Sequence, residues 1–183
     1  MLINLIAAGL MAGSKLIKEI TTEKAALKRG SIVYCELAGG FAEHSGIYLG
    51  NGNFAEVTTD IKGNGRVVKV NANEFMRGSI FRTGFRIYTA SDRFGSKVGY
   101  SVAEEDFALY AESQIGKKLS YKLLENNCHR FTASCIAGKD TGDCFFWELK
   151  KRIEEHYWWE FPYNYVVWIP VCMTKTREQE MNG

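Results

Sequence analysis

The run Gly50-Asn51-Gly52-Asn53 lies between His44–Leu49 and Phe54–Thr58, two stretches rich in strand-forming residues. Glycine and asparagine tolerate the left-handed backbone that tight hairpins require, so this arrangement predicts two antiparallel strands joined by a short turn. Ser31–Leu37, before Gly39-Gly40, reads as a preceding strand, and Arg66–Val70 and Ser79–Thr89 as further ones. The pattern then changes. Ser101 with Glu104 three residues on matches a capping box. The helix it would open places Phe107, Ala108, Ala111 and Ile115 on a buried face and stops at Gly116. A second helix is predicted from Asn127 to Gly138 and a third over Glu148–Trp159. A helix over 2–28, ending at Lys28-Arg29-Gly30, precedes all of these. The order of helix, strands and helices is that of an α+β protein built on an antiparallel sheet.

A chain of 183 residues is most simply one domain. The divisions expected are an N-terminal helix at 1–28, a catalytic core at 29–140, an aromatic-rich helix and extension at 141–174, and a flexible tail at 175–183. The net charge of +2 with no basic block argues against nucleic-acid binding. Five cysteines without a CxxC pair fit free thiols in a reducing compartment, and no metal or cofactor is implied. The segment Met1–Ser14 has no charged side chain, but it is too short to span a bilayer. Two readings stand for it: a helix packed on the domain, which is preferred, and an interfacial membrane helix. The aromatic stretch from Trp158 to Cys172 likewise reads either as a peripheral membrane contact or as a final strand or loop covering the sheet. The expected location is cytoplasmic, with or without membrane association.

Cys128 is the best candidate nucleophile. It follows Asn126-Asn127, and a helix start directs unpaired N–H groups and positive potential at its first turn. Both effects lower a thiol pKa and can hold an oxyanion. Cys35 and Cys135 read as packing residues. His44 is the best candidate base. His129 adjoins Cys128 on one helix, where neighbours are not expected to face each other, and His156 has no evident polar partner. Glu56 is the candidate for orienting the His44 ring, subject to register. If Asn51-Gly52 alone forms the loop, residue 44 pairs with 59 and Glu56 falls on the opposite face. If the hairpin centres on Gly50, His44 and Glu56 become direct cross-strand partners, roughly 5 Å apart at Cβ. Asp60 is a weaker substitute, read otherwise as an exposed turn residue. Tyr48 and Asn127 are candidates for supporting the site.

At these residues the chain resembles the lecithin retinol acyltransferase family, within the permuted papain-like (NlpC-type) superfamily. The resemblance rests on Gly30-Ser31-Ile32; on His44, Tyr48, Gly50 and Gly52; and on Asn127, Cys128, Phe131, Cys135 and Gly138, with Tyr121 and Leu124 before them. It covers roughly residues 29–138. Many relatives carry a second histidine twelve positions after the first, where this chain has Glu56. The resemblance implies a permuted papain-like fold, with the nucleophile-bearing helix packed on an antiparallel sheet. It also implies a thiol-dependent acyltransferase or phospholipase-type hydrolase. His44 would deprotonate Cys128, and the thiolate would form an acyl-thioester from a lipid ester, with the Cys128 N–H helping to hold the oxyanion. The alternatives are a cysteine peptidase or amidase acting on an amide substrate, and a catalytically silent binding module.

Overall fold

The computed structural model describes residues 27–37, 42–60, 62–77, 86–92, 102–122, 127–157 and 166–171. The expected helix at 2–28 lies almost wholly outside them, as do Gly39-Gly40, Ser101, Leu124 and the tail at 175–183. The elements run β1 (Ile32–Leu37), β2 (Ala42–Gly50), β3 (Asn53–Thr59), β4 (Asn64–Asn71), α1 (Ala72–Arg77), β5 (Ile87–Asp92), α2 (Glu105–Ser113), β6 (Lys118–Ser120), α3 (Cys128–Ala137), α4 (Phe146–His156) and β7 (Val166–Pro170). The strands form one sheet in the order β6-β4-β3-β2-β1-β5-β7. Every neighbouring pair is antiparallel.

Alternation along the strands explains why both faces of this sheet are dry. Ile32, Ile47, Ala55, Val57 and Val67 point to one side, where they meet Phe107 and Ala111 of α2, Phe131 and Ile136 of α3, and Leu149 and Ile153 of α4. Val33, Cys35 and Phe54 point to the other and close around Phe75 of α1. A strand buried on both sides reads as a continuous apolar run, which is what Ile32–Cys35 shows.

The hairpin differs from both registers considered above. Asn51 (φ 50°) and Gly52 (φ 74°) are left-handed and form a two-residue turn, with Gly50 opposite Asn53. Had that ladder continued, residue 44 would face 59. Instead Tyr48 lies opposite Phe54 and Ile47 opposite Ala55. Leu49 is the extra residue of a β-bulge, and it shifts the register by one. Its carbonyl is not left unpaired, because Arg29 Nη1 donates to it at 2.7 Å. Arg29 in turn is held by Glu105 and Glu112 of α2. The bulge is therefore tied to α2 through a surface ion-pair cluster.

Three further expectations are corrected. The helix after residue 100 opens at Glu105, with Glu104 as its N-cap and no side-chain cap bond. Glu104 instead bonds His156, so it does not serve a capping box. Ile115 lies beyond the helix and is exposed, because α2 ends at Ser113 and the chain turns through Gly116. The strand expected over Ser79–Thr89 runs on to Asp92, while 79–85 lie outside the described residues. The aromatic segment near the C-terminus supplies a strand, since β7 pairs with β5. No helix among the described residues is long and apolar enough to cross a membrane.

Gly46 is needed for close packing. A Cβ there would stand 2.5 Å from the Ala55 carbonyl oxygen and 2.9 Å from the Phe75 ring. Backbone cannot yield as a flexible side chain can, so Gly46→Ala forces β2 and β3 apart. The expected loss is about 1–3 kcal/mol, read as a lower urea midpoint. An unchanged midpoint would show that the hairpin adapts.

Candidate functional site

The site is assembled where α3 begins. Asn127 is extended and acts as the N-cap; its Oδ1 accepts from the N–H groups of His129 and Arg130 at 3.0 and 3.1 Å. Its Nδ2 donates to the Cys144 carbonyl at 2.7 Å, which fixes the loop leading into α4. At the other end Gly138 closes the helix in the left-handed conformation. Cys128 is the first helical residue and is buried. Because Asn127 uses the next two N–H groups, the Cys128 N–H is the first-turn donor available to a developing oxyanion.

The bulge decides what faces His44. Continuing the observed register sets Glu56 opposite Gly46, two residues along β2 from His44 and on the same face. That diagonal is longer than a direct pair, but Gly46 has no side chain to fill it. The Glu56 carboxylate reaches across, and His44 Nε2 lies 2.8 Å from its Oε2. His44 is 4% exposed and Glu56 2%, so water does not compete for this bond. The His44 ring also packs on Phe75, centroid to centroid 5.2 Å. With Nε2 committed to Glu56, Nδ1 is the nitrogen left to act on the thiol.

The electrostatics favour an ion pair. Burial is the largest influence on the Cys128 thiol and would raise its pKa. The charges of His129 and His44 and their hydrogen bonds outweigh it and hold the thiol well below its ordinary value. Burial would likewise push the His44 imidazolium down. The charge and hydrogen bond of Cys128, then those of Glu56, raise it to about 9. In the neutral range the pair therefore rests as thiolate and imidazolium, the reactive form of a nucleophilic cysteine. Cys135, by contrast, is buried without such partners, and burial pushes its thiol well above the ordinary range.

The remaining candidates fall elsewhere. The Tyr48 hydroxyl accepts from the Gly52 N–H at 3.1 Å and its ring tilts against Phe54, so it closes the hairpin and does not serve the thiol. Asp60 caps the turn into β4, accepting from the Lys62 and Asn64 N–H groups. Cys35 packs in the second core cluster, its thiol 3.4 Å from the Phe75 carbonyl. Two expectations about histidine are corrected. His156 does have a polar partner, with Nε2 2.9 Å from Glu104 Oε1. His129 does act on its neighbour, because the ring turns back toward the Cys128 sulfur. The available signal was Thr132, one helical turn after Cys128 and three residues after His129. Its hydroxyl bonds Ser45 Oγ, which in turn bonds the His129 ring.

Of the surface hollows among the described residues, one is lined by Tyr110, Lys117 and Arg130 among others and another by Ile136 and Glu155 among others, and neither of these includes Cys128, His44 or Glu56. The chemistry of the buried group, more than the size of a hollow, marks the candidate site. No group of three or more His, Cys, Asp or Glu side chains among the described residues is placed to hold a metal ion.

Comparison with curated proteins gives no significant match. A family model does match, that of lecithin retinol acyltransferase, over residues 25–141. The matched span runs from just before the bulge-pinning Arg29 through His44, Glu56 and all of α3. It covers well over half of the chain, and on that match the chain belongs to the lecithin retinol acyltransferase family.

Proposed function

We propose that this protein is a cysteine-dependent acyltransferase or acyl hydrolase in which Cys128 carries the acyl group as a thioester. The observation that carries this reading is the buried His44–Glu56 pair acting on a thiol at a helix start. The Cys128 thiolate attacks the acyl carbonyl, and the tetrahedral oxyanion is received by the Cys128 N–H. As the intermediate collapses, imidazolium His44 gives its proton to the departing alkoxide, leaving the acyl-thioester. His44, now neutral, takes a proton from an incoming alcohol, amine or water, which attacks the thioester and restores the thiolate. Glu56 holds the ring in one orientation and stabilises its charge.

The fold is best read as permuted papain-like, because base and carboxylate precede the nucleophile in the chain and the nucleophile opens a helix against an antiparallel sheet. A lipid ester as donor is supported by the aromatic surroundings. Phe146 lies 5.4 Å from the His129 ring and joins half-buried Tyr34 and Trp168 in one cluster. Acyl chains suit such a surface better than peptide backbone, which needs polar partners. The buried free thiols at 35, 128, 135 and 144 favour a reducing, cytoplasmic setting. Peripheral contact with membrane accompanies a lipid substrate.

Incubating the protein with dioctanoyl phosphatidylcholine is expected to add one octanoyl group to Cys128, seen by peptide mass mapping and removed by neutral hydroxylamine. Absence of adduct and of released fatty acid across several phospholipids, with cleavage of peptide or isopeptide substrates, would transfer the reading to an amidase.

A further inference from the structure

His129 has no part in the steps just described, yet its position is closely determined. Its Nδ1 lies 2.9 Å from Ser45 Oγ, which lies 3.0 Å from Thr132 Oγ1. Thr132 Oγ1 donates to the Cys128 carbonyl at 2.9 Å. A carbonyl only accepts, so the one Thr132 proton is committed there. The Ser45 hydroxyl then donates to Thr132, and its lone pair accepts from His129. The network has one self-consistent direction, and it places a proton on Nδ1 of His129. Ser45 and Thr132 are 0% exposed and His129 8%, so water does not offer an alternative set of bonds. Phe146 packs on the ring. Nε2 is the nitrogen left for the sulfur of the preceding residue, with which the ring shares a hydrogen bond.

We propose that His129 is a positioning residue for the nucleophile: the Ser45–Thr132 relay locks its Nδ1–H tautomer and holds Nε2 against the Cys128 sulfur. The sulfur then has a second imidazole beside it whenever it is a thiolate, before it attacks the acyl carbonyl and again as the thioester is cleaved. With Nδ1–H given to Ser45, a neutral ring accepts from S–H at Nε2; beside the thiolate–His44 pair the ring needs its own proton on Nε2, and in that cationic form it donates to the thiolate. The groups acting on this thiol are His44 from β2, with Glu56 of β3 behind it, and His129 from α3. This inference rests on Cys128 being the nucleophile.

The test is iodoacetamide alkylation of Cys128 in the full chain, followed across pH by peptide mass spectrometry, for wild type and His129→Gln. The wild-type rate is expected to reach half its maximum well below the range of an ordinary thiol, near 8.5. His129→Gln should move that midpoint up by about one pH unit, which slows alkylation roughly tenfold at pH values below the wild-type midpoint and little above it. An ordinary midpoint in the wild type would overturn the nucleophile reading together with the inference. A low wild-type midpoint that His129→Gln leaves in place, with native circular dichroism, would overturn the inference alone. Should the variant not fold, long-range nitrogen–proton NMR of the wild-type imidazoles decides. Protonated Nδ1 on His129 supports the relay, and a neutral ring protonated only at Nε2 overturns it.

Discussion

Cys128→Ala is expected to abolish thioester formation and to lower acyl transfer by at least about 10⁴-fold, the scale on which removal of a covalent nucleophile acts. The substitution removes one sulfur from a helix start, so unfolding in urea should shift only slightly. Cys128→Ser should be nearly as inactive. A serine hydroxyl is far more basic than a thiolate, and imidazoles that ionise a thiol do not ionise it. Cys135→Ala provides the contrast. It lies on the same helix, but burial holds its thiol well above the ordinary range and no imidazole acts on it. Its loss should cost stability and leave turnover in place. Product formation from a radiolabelled acyl donor, measured for all three variants, separates these outcomes. Retained turnover in Cys128→Ala would remove the thioester from the mechanism.

Glu56→Gln is expected to reduce kcat/KM by about 10²–10⁴-fold, within the range seen when the orienting carboxylate of a triad is made neutral. The amide can present its NH₂ to Nε2 of His44. That would leave the proton on Nδ1, facing the thiol, where an acceptor is required. The pH profile gives an independent reading. His44 is raised to about 9, so the imidazolium that protonates the leaving group persists below that value and is lost above it. Removing a group that raises the pKa draws the alkaline limb of the profile down toward neutrality. The acid limb belongs to the thiol and moves up if His44 is less often charged. An alkaline limb that stays in place would remove Glu56 from the mechanism.

Much of this was legible in the sequence because it is local. The Asn-Gly turn needs two left-handed residues, and Gly50-Asn51-Gly52-Asn53 is the stretch between the two strands where glycine and asparagine supply them cheaply. The limits of α3 follow from a capping asparagine and a closing glycine. The register of β2 against β3 was less accessible, because the bulge depends on Arg29, and Arg29 is placed by Glu105 and Glu112 on a distant helix. The His156–Glu104 bond was hidden for the same reason: the partners are far apart in sequence and meet only when α2 and α4 pack. His129 was passed over through a sound rule about helix neighbours. The rule concerns side chains pointing outward. It does not cover a ring drawn back by Ser45 on an adjoining strand and Thr132 on the next turn.

The bulge at Leu49 also acts as a ruler. With the extra residue, a base and a carboxylate twelve residues apart meet across the hairpin. Were Leu49 instead taken into a regular ladder continuing from the turn, the same diagonal would require a partner one residue further along β3, and the group at position 56 would lie on the reverse side. The bulge and the spacing are thus two halves of one dimension, and neither can change alone. A relative in which a histidine or glutamate occupies the twelfth position should retain the bulge, and one that has lost it should carry its polar partner displaced by one.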